Sequence, residues 1–109
     1  MVGVENIWER HIFMIFEKDI EQFLIKEIEK LNGRCDKWGM NGEPDRIVML
    51  PGGKVFFVEL KRPKGKLSKL QIEKHKRLRV LGFKVFTPYN KDDVRKIIVD
   101  MTEGESIGK

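Results

Sequence analysis

Lys54-Val55-Phe56-Phe57-Val58-Glu59-Leu60-Lys61 is the stretch that decides how this chain folds. Side chains alternate across an extended strand. Val55, Phe57, Glu59 and Lys61 therefore share one face, and Phe56, Val58 and Leu60 the other. Both faces are apolar up to Glu59, which marks a central strand covered on both sides. Glu59 and Lys61 then emerge side by side from a buried surface, where a cross-strand ion pair is their simplest account. The earlier segment Gly42-Glu43-Pro44-Asp45 brings a second carboxylate to the same region. Breaking a buried ion pair costs roughly 3–5 kcal/mol, and a whole domain is stable by only roughly 5–15 kcal/mol. Two carboxylates and an ammonium group in one small core need compensation. A divalent metal and a phosphate-bearing substrate would supply it.

Working outward, residues 46–50 read as a strand, and Pro51-Gly52-Gly53 as the turn that joins it to the central strand in a β-hairpin. Asp45 begins that strand. It can be a simple turn residue, but in such a hairpin it lies near the same open end as Glu59. Their oxygens can then converge on one hard cation. Upstream, Asp19 can cap a helix over about residues 20–31, with Gln22 completing a capping box and Gly33 ending it. Asn6 and Glu9 can cap another helix before it. A weaker strand is expected at 34–38. Downstream, Ser68 caps a helix that runs to Leu81, with Gln71 at its third position, and Gly82 stops it. A short strand at 83–87 follows, and Asn90 opens a last helix at Lys91 that runs to about Met101. The strand–helix–strand connection from Lys61 to Phe83 favours parallel pairing. The expected fold is an α/β domain, a mixed central sheet flanked by helices in the order αβββαβ.

The 109 residues suit one domain, and 40% hydrophobic content allows a core. No apolar run approaches the ~20 residues of a membrane span. Glu5, Glu9, Arg10 and His11 interrupt the first residues, so they lack a secretory pattern. Cys35 is alone, and His11 and His75 give no zinc-ligand spacing. A cytoplasmic protein with no membrane partner is the expectation. Net charge is +5, but it is unevenly spread. Residues 62–79 hold eight basic side chains (Arg62, Lys64, Lys66, Lys69, Lys74, Lys76, Arg77, Arg79) against Glu73 alone, so the rest of the chain is slightly acidic. Such a patch suits a polyanion. A solvated helix face is the alternative.

Other residues carry two readings each. On a helical wheel, Ile20, Leu24, Ile25, Ile28 and Leu31 form one apolar arc, and Glu21 falls inside it. Glu21 is either wanted by the core or is a first-turn acid favoured by the helix dipole. Gln71 is the partner in the Ser68 capping box, yet it shares a stripe with His75, Leu78 and Gly82 that can face the site. His75 reads as a packing or phosphate-contacting residue rather than a base. Trp8, Trp38 and Tyr89 can stack on bases, although core burial is the first expectation for each.

Taken together, Glu21, Gly42-Glu43-Pro44-Asp45, Glu59-Leu60-Lys61 and Gln71 resemble the VRR-NUC (virus-type replication-repair nuclease) family, a branch of the PD-(D/E)xK superfamily of metal-dependent nucleases. The resemblance runs from about Asp19 to Ile98, and no motif position departs from the pattern. It implies a restriction-endonuclease-like fold. It implies magnesium or manganese held by Asp45, Glu59 and the backbone carbonyl of Leu60, with Glu21 a further ligand. Lys61 would orient the attacking water and stabilise developing charge, and Gln71 would hold Lys61 or a substrate phosphate. Small stand-alone members are similar to Holliday junction resolvases of phages and bacteria. The implied activity is a structure-selective DNA endonuclease on branched substrates, with Arg62, Lys64, Lys66, Lys69, His75, Lys76 and Arg79 on the DNA. A non-catalytic DNA-binding module, a preference for flaps, and an RNA-directed nuclease are the competing readings. Two symmetric nicks in a four-way junction call for a homodimer. The apolar residues Ile7, Trp8, Ile12, Phe13, Ile15 and Phe16 would help to form it, unless Met14 is the natural start. Residues 1–17 are thus an N-terminal extension, 18–101 the nuclease domain, and 102–109 a flexible tail.

Overall fold

The computed structural model describes residues 7–61 and 65–103. In chain order they form α1 (Ile7–Lys30), β1 (Arg34–Lys37), β2 (Arg46–Leu50), β3 (Lys54–Val58), α2 (Lys69–Val80), β4 (Lys84–Phe86) and α3 (Lys91–Thr102). The four strands make one sheet in the order β1-β2-β3-β4. β2 pairs antiparallel with both β1 and β3, and β3 pairs parallel with β4. The hairpin and the helical crossover both follow the sequence reading. Leu50 pairs with Lys54, which leaves Pro51, Gly52 and Gly53 as the turn. Gly52 and Gly53 adopt φ of 90° and 76°, where a side chain would cost roughly 1–2 kcal/mol.

β3 is covered on both faces, as its composition requires. On one side Phe56, Val58 and Leu60 join Cys35, Val48 and Leu50 against Ile20, Leu24 and Ile28 of α1 and Val94, Ile97 and Met101 of α3. On the other, the Phe57 ring packs against Trp38 and Phe83, with centroids 5.5 and 5.4 Å apart. There α2 brings Gln71 and His75 to Glu59.

The helix starts are set by side-chain caps. Ser68 Oγ accepts from the Gln71 N–H at 3.1 Å, and Gln71 Oε1 accepts from the Ser68 N–H at 2.9 Å. Asn90 Oδ1 accepts from the Asp93 N–H at 2.8 Å and opens α3. These are the capping residues expected from sequence.

Two expectations need correcting. Asp19 does not cap a helix, because α1 runs unbroken from Ile7. No glycine or proline stands between Phe16 and Ile20, so a helix begun upstream simply propagates. The division drawn between residues 17 and 18 thus falls within α1. Asp19 instead pairs with Lys91 at 3.1 Å. Asn6, the cap read for an earlier helix, and residues 104–109 of the expected tail lie outside the described residues. Second, β3 stops at Val58 rather than Lys61. Its β4 side continues, with Glu59 N–H donating to the Phe86 carbonyl at 2.8 Å and Lys61 N–H to that of Pro88 at 3.4 Å. On the β2 side, the register from Arg46↔Val58 would set Pro44 against Leu60, and proline has no N–H to give.

Core burial also fails for the tryptophans. Trp8 is 72% exposed and Trp38 is 49% exposed, with Trp38 lying over Phe57 at the sheet edge.

Gly39 follows β1 in the loop that delivers Asp45. A Cβ there would run into the Glu43 and Pro44 carbonyl oxygens, which are backbone and cannot swing aside. Gly39→Ala is expected to lower stability by about 1–3 kcal/mol. A urea midpoint equal to that of the parent chain would contradict the crowding described here.

Candidate active site

Extending the β2–β3 register by one residue sets Asp45 opposite Glu59, so both side chains leave the same face of the sheet. Asp45 is held by its backbone and its side chain. Its carbonyl accepts from the Trp38 N–H at 2.8 Å, and its Oδ2 accepts from the Leu60 N–H, also at 2.8 Å. The carboxylate thus takes the donor that β3 would otherwise offer to a neighbouring strand.

Glu59 is 2% exposed. Its Oε2 accepts from Gln71 Nε2 at 3.1 Å and faces Lys61 Nζ at 4.0 Å. Its Oε1 lies 3.5 Å from His75 Nε2 and has no hydrogen-bond partner. Burial disfavours charge on Glu59, and the Asp45 carboxylate beside it, within hydrogen-bonding reach, adds to that effect. Together they push its pKa up to about 8, with Lys61 opposing. His75 is held below its ordinary range, first by burial and then by Arg79.

Gln71 performs both of the tasks weighed for it. Its oxygen closes the capping box while its nitrogen holds Glu59. Its partner within the chain is the Glu59 carboxylate, whereas the resemblance implied Lys61 or a substrate phosphate.

Glu21 projects from the middle of α1, so the helix dipole does not explain it. Arg46 does: its Nε donates to Glu21 Oε2 at 2.9 Å, and its Nη1 to the Cys35 carbonyl at 3.1 Å. Arg46 escaped the sequence reading. The available signal was its place on the apolar face of β2, beside Val48 and Leu50. Two solitary opposite charges on two apolar surfaces are natural partners. Cys35 beneath them is buried, and its thiol is pushed up to about 11 by that burial, far from a reactive thiolate.

A cavity of about 550 Å³ is lined by Asp45, Leu60, Glu21, Glu17, Lys18 and Lys37 among others. The fold brings Gln71 and Lys61 to Glu59 and sets Asp45 beside it, with Asp45 and Glu21 on the wall of the cavity. Among the described residues, no three of His, Cys, Asp and Glu gather closely enough to hold an ion by themselves. The pair Asp45 and Glu59 is the acidic centre.

The residues expected on DNA divide into groups. Lys66, Lys69 and Lys76 are exposed. Arg79 is exposed but donates to the Val85 carbonyl at 2.8 Å. Arg62 and Lys64 lie outside the described residues. His75 is fully buried beside Glu59, so it cannot meet a phosphate at the surface. α2 turns that face toward the sheet. No helix among the described residues is long and apolar enough to cross a membrane.

No family model matches the chain. Over 82 residues it is 40% identical to a protein named Putative nuclease p44, from Acyrthosiphon pisum secondary endosymbiont phage 1; the match covers 72% of this chain and 88% of that protein. A solved structure described as a VRR_NUC domain superposes with a TM-score of 0.70 at 32% identity, over 75% of this chain and 92% of the other. Motif, sequence and fold agree, and the chain belongs to the VRR-NUC family of nucleases.

Proposed function

We propose that this chain is a metal-dependent, structure-selective DNA endonuclease that works as a homodimer on four-way junctions. The observation that carries the proposal is the Asp45–Glu59 pair. Two carboxylates from separate segments stand side by side, one buried with an unpartnered oxygen, and Lys61 follows next to them. Such a pair suits a hard cation, since magnesium commonly takes one or two carboxylates and leaves its other positions to water and phosphate.

Asp45, Glu59 and the Leu60 carbonyl would hold magnesium or manganese. Glu21, engaged by Arg46, would act at the rim through water. When bound, the cation supplies Lewis acidity at the scissile phosphate and an activated water at neutral pH. Lys61 offers its ammonium group to the water that attacks phosphorus in line and to the charge that gathers on the phosphate oxygens. Gln71 keeps Glu59 turned toward Asp45. Lys66, Lys69 and Lys76 take neighbouring phosphates, which makes binding fall steeply with salt. Trp38 and Trp8 present exposed rings on which unpaired bases can stack.

The dimer is supported by α1. Its first turns expose Ile7, Trp8, Ile12 and Ile15, with Ile7 79% exposed. Several large apolar side chains exposed on one helix support an interaction site there, and a second copy related by two-fold symmetry would supply the second nick.

Replacing Asp45 by alanine should reduce junction cleavage in magnesium by more than about a hundredfold while leaving junction binding within a few-fold. Retained cutting by Asp45→Ala would sink the assignment. Sedimentation of the full chain should give twice the chain mass, and a single species of one chain's mass would remove the dimer.

The raised pKa of Glu59 has a sign that can be measured. Its folded value of about 8 lies above the ordinary 4.5, so the folded protein holds this proton more tightly than the unfolded chain does. Its contribution therefore declines as pH rises from about 4.5 to about 8. In EDTA, the stability of the parent chain relative to Glu59→Gln should fall across that window, and magnesium at pH 8 should stabilise the parent more than the variant. A difference between the two proteins that does not change with pH would show that Glu59 is not held protonated.

A further inference from the structure

His75 is fully buried, yet neither ring nitrogen has a hydrogen-bond partner. Buried polar atoms nearly always have one. Glu59 Oε1 lies 3.5 Å from its Nε2 and is likewise unpartnered. The other Glu59 oxygen is already served, by Gln71 at 3.1 Å and by the Lys61 ammonium at 4.0 Å. Two orphaned atoms thus face each other across a gap a few tenths of an ångström longer than a hydrogen bond.

His75 stands one turn beyond Gln71 on α2, so both reach the same face. The Ser68–Gln71 capping box fixes where α2 begins, and with it the height of both nitrogens over Glu59. Packing alone gives no reason for a histidine here. Leucine or methionine would fill comparable space without leaving two nitrogens unsatisfied.

We propose that His75 is a positioning residue: its Nε2–H donates to Glu59 Oε1 and, with Gln71 on Oε2, holds that carboxylate oriented to receive a divalent cation beside Asp45. The inference rests on the metal-dependent activity proposed above. A carboxylate offers about four acceptor positions, so one protein donor on each oxygen still leaves room for the cation. His75 touches neither substrate nor metal and acts through Glu59.

The test is manganese binding to the full chain, followed by titration calorimetry at one fixed pH, with thermal unfolding measured in parallel. His75→Leu should weaken manganese binding by about tenfold to a hundredfold, whereas His75→Gln, which retains an N–H donor, should stay within about threefold of the parent. His75→Met is a second donor-less variant that serves if the leucine chain does not fold. Equal weakening by glutamine and by the donor-less variants, or unchanged affinity in all of them, would overturn the positioning role while leaving the metal site standing. No manganese binding by the parent chain would defeat the metal-dependent activity itself, and this inference with it.

Discussion

A buried carboxylate pressed against a second carboxylate is the constraint on which this molecule is built. Glu59 and Asp45 would repel if both were charged, and burial makes that worse. The surrounding fold keeps them together regardless. β2 and β3 set them opposite each other, Leu60 N–H anchors one, and Gln71 anchors the other. A site held against its own electrostatics is poised for a counter-charge, which fits the nuclease family to which the chain belongs. The cost falls on the uncharged fold, whose apolar layers on both faces of β3 must carry it.

α1 serves two environments. Its second half supplies Ile20, Leu24 and Ile28 to the core, while its first half carries apolar residues into solvent. Glu21 sits near the junction and is tied across to Arg46 on β2. Removing either partner of such a half-buried pair leaves the other uncompensated, which is far costlier than the pair is stabilising. Glu21 also lines the cavity that Asp45 lines, so the tie holds one side chain of that wall in place.

Some of this architecture is legible in local sequence because its causes are local. The Ser68–Gln71 box, the Asn90 cap and the Pro51-Gly52-Gly53 turn each involve groups within a few residues of one another. Strand alternation likewise placed Glu59 and Lys61 on one face before any fold was known. The failures are equally instructive. The end of β3 depends on Pro44, in the loop that leads into β2. The burial of Trp38 depends on how far the sheet edge is covered. The fusion of two expected helices into α1 reflects a cap-like residue, Asp19, overridden by a helix already under way.

What the residues determined unaided is the set of chemical groups, their order, and the face each occupies on its own element. Those follow from backbone geometry, which repeats every two residues in a strand and every 3.6 in a helix. The choice of partner was left to the tertiary structure. Glu21 found Arg46 and not the acidic pair, Gln71 spent its nitrogen on Glu59, and His75 was sealed inside and not turned to solvent. Such choices join groups 12 to 25 residues apart, and their energies exist only once the elements have packed.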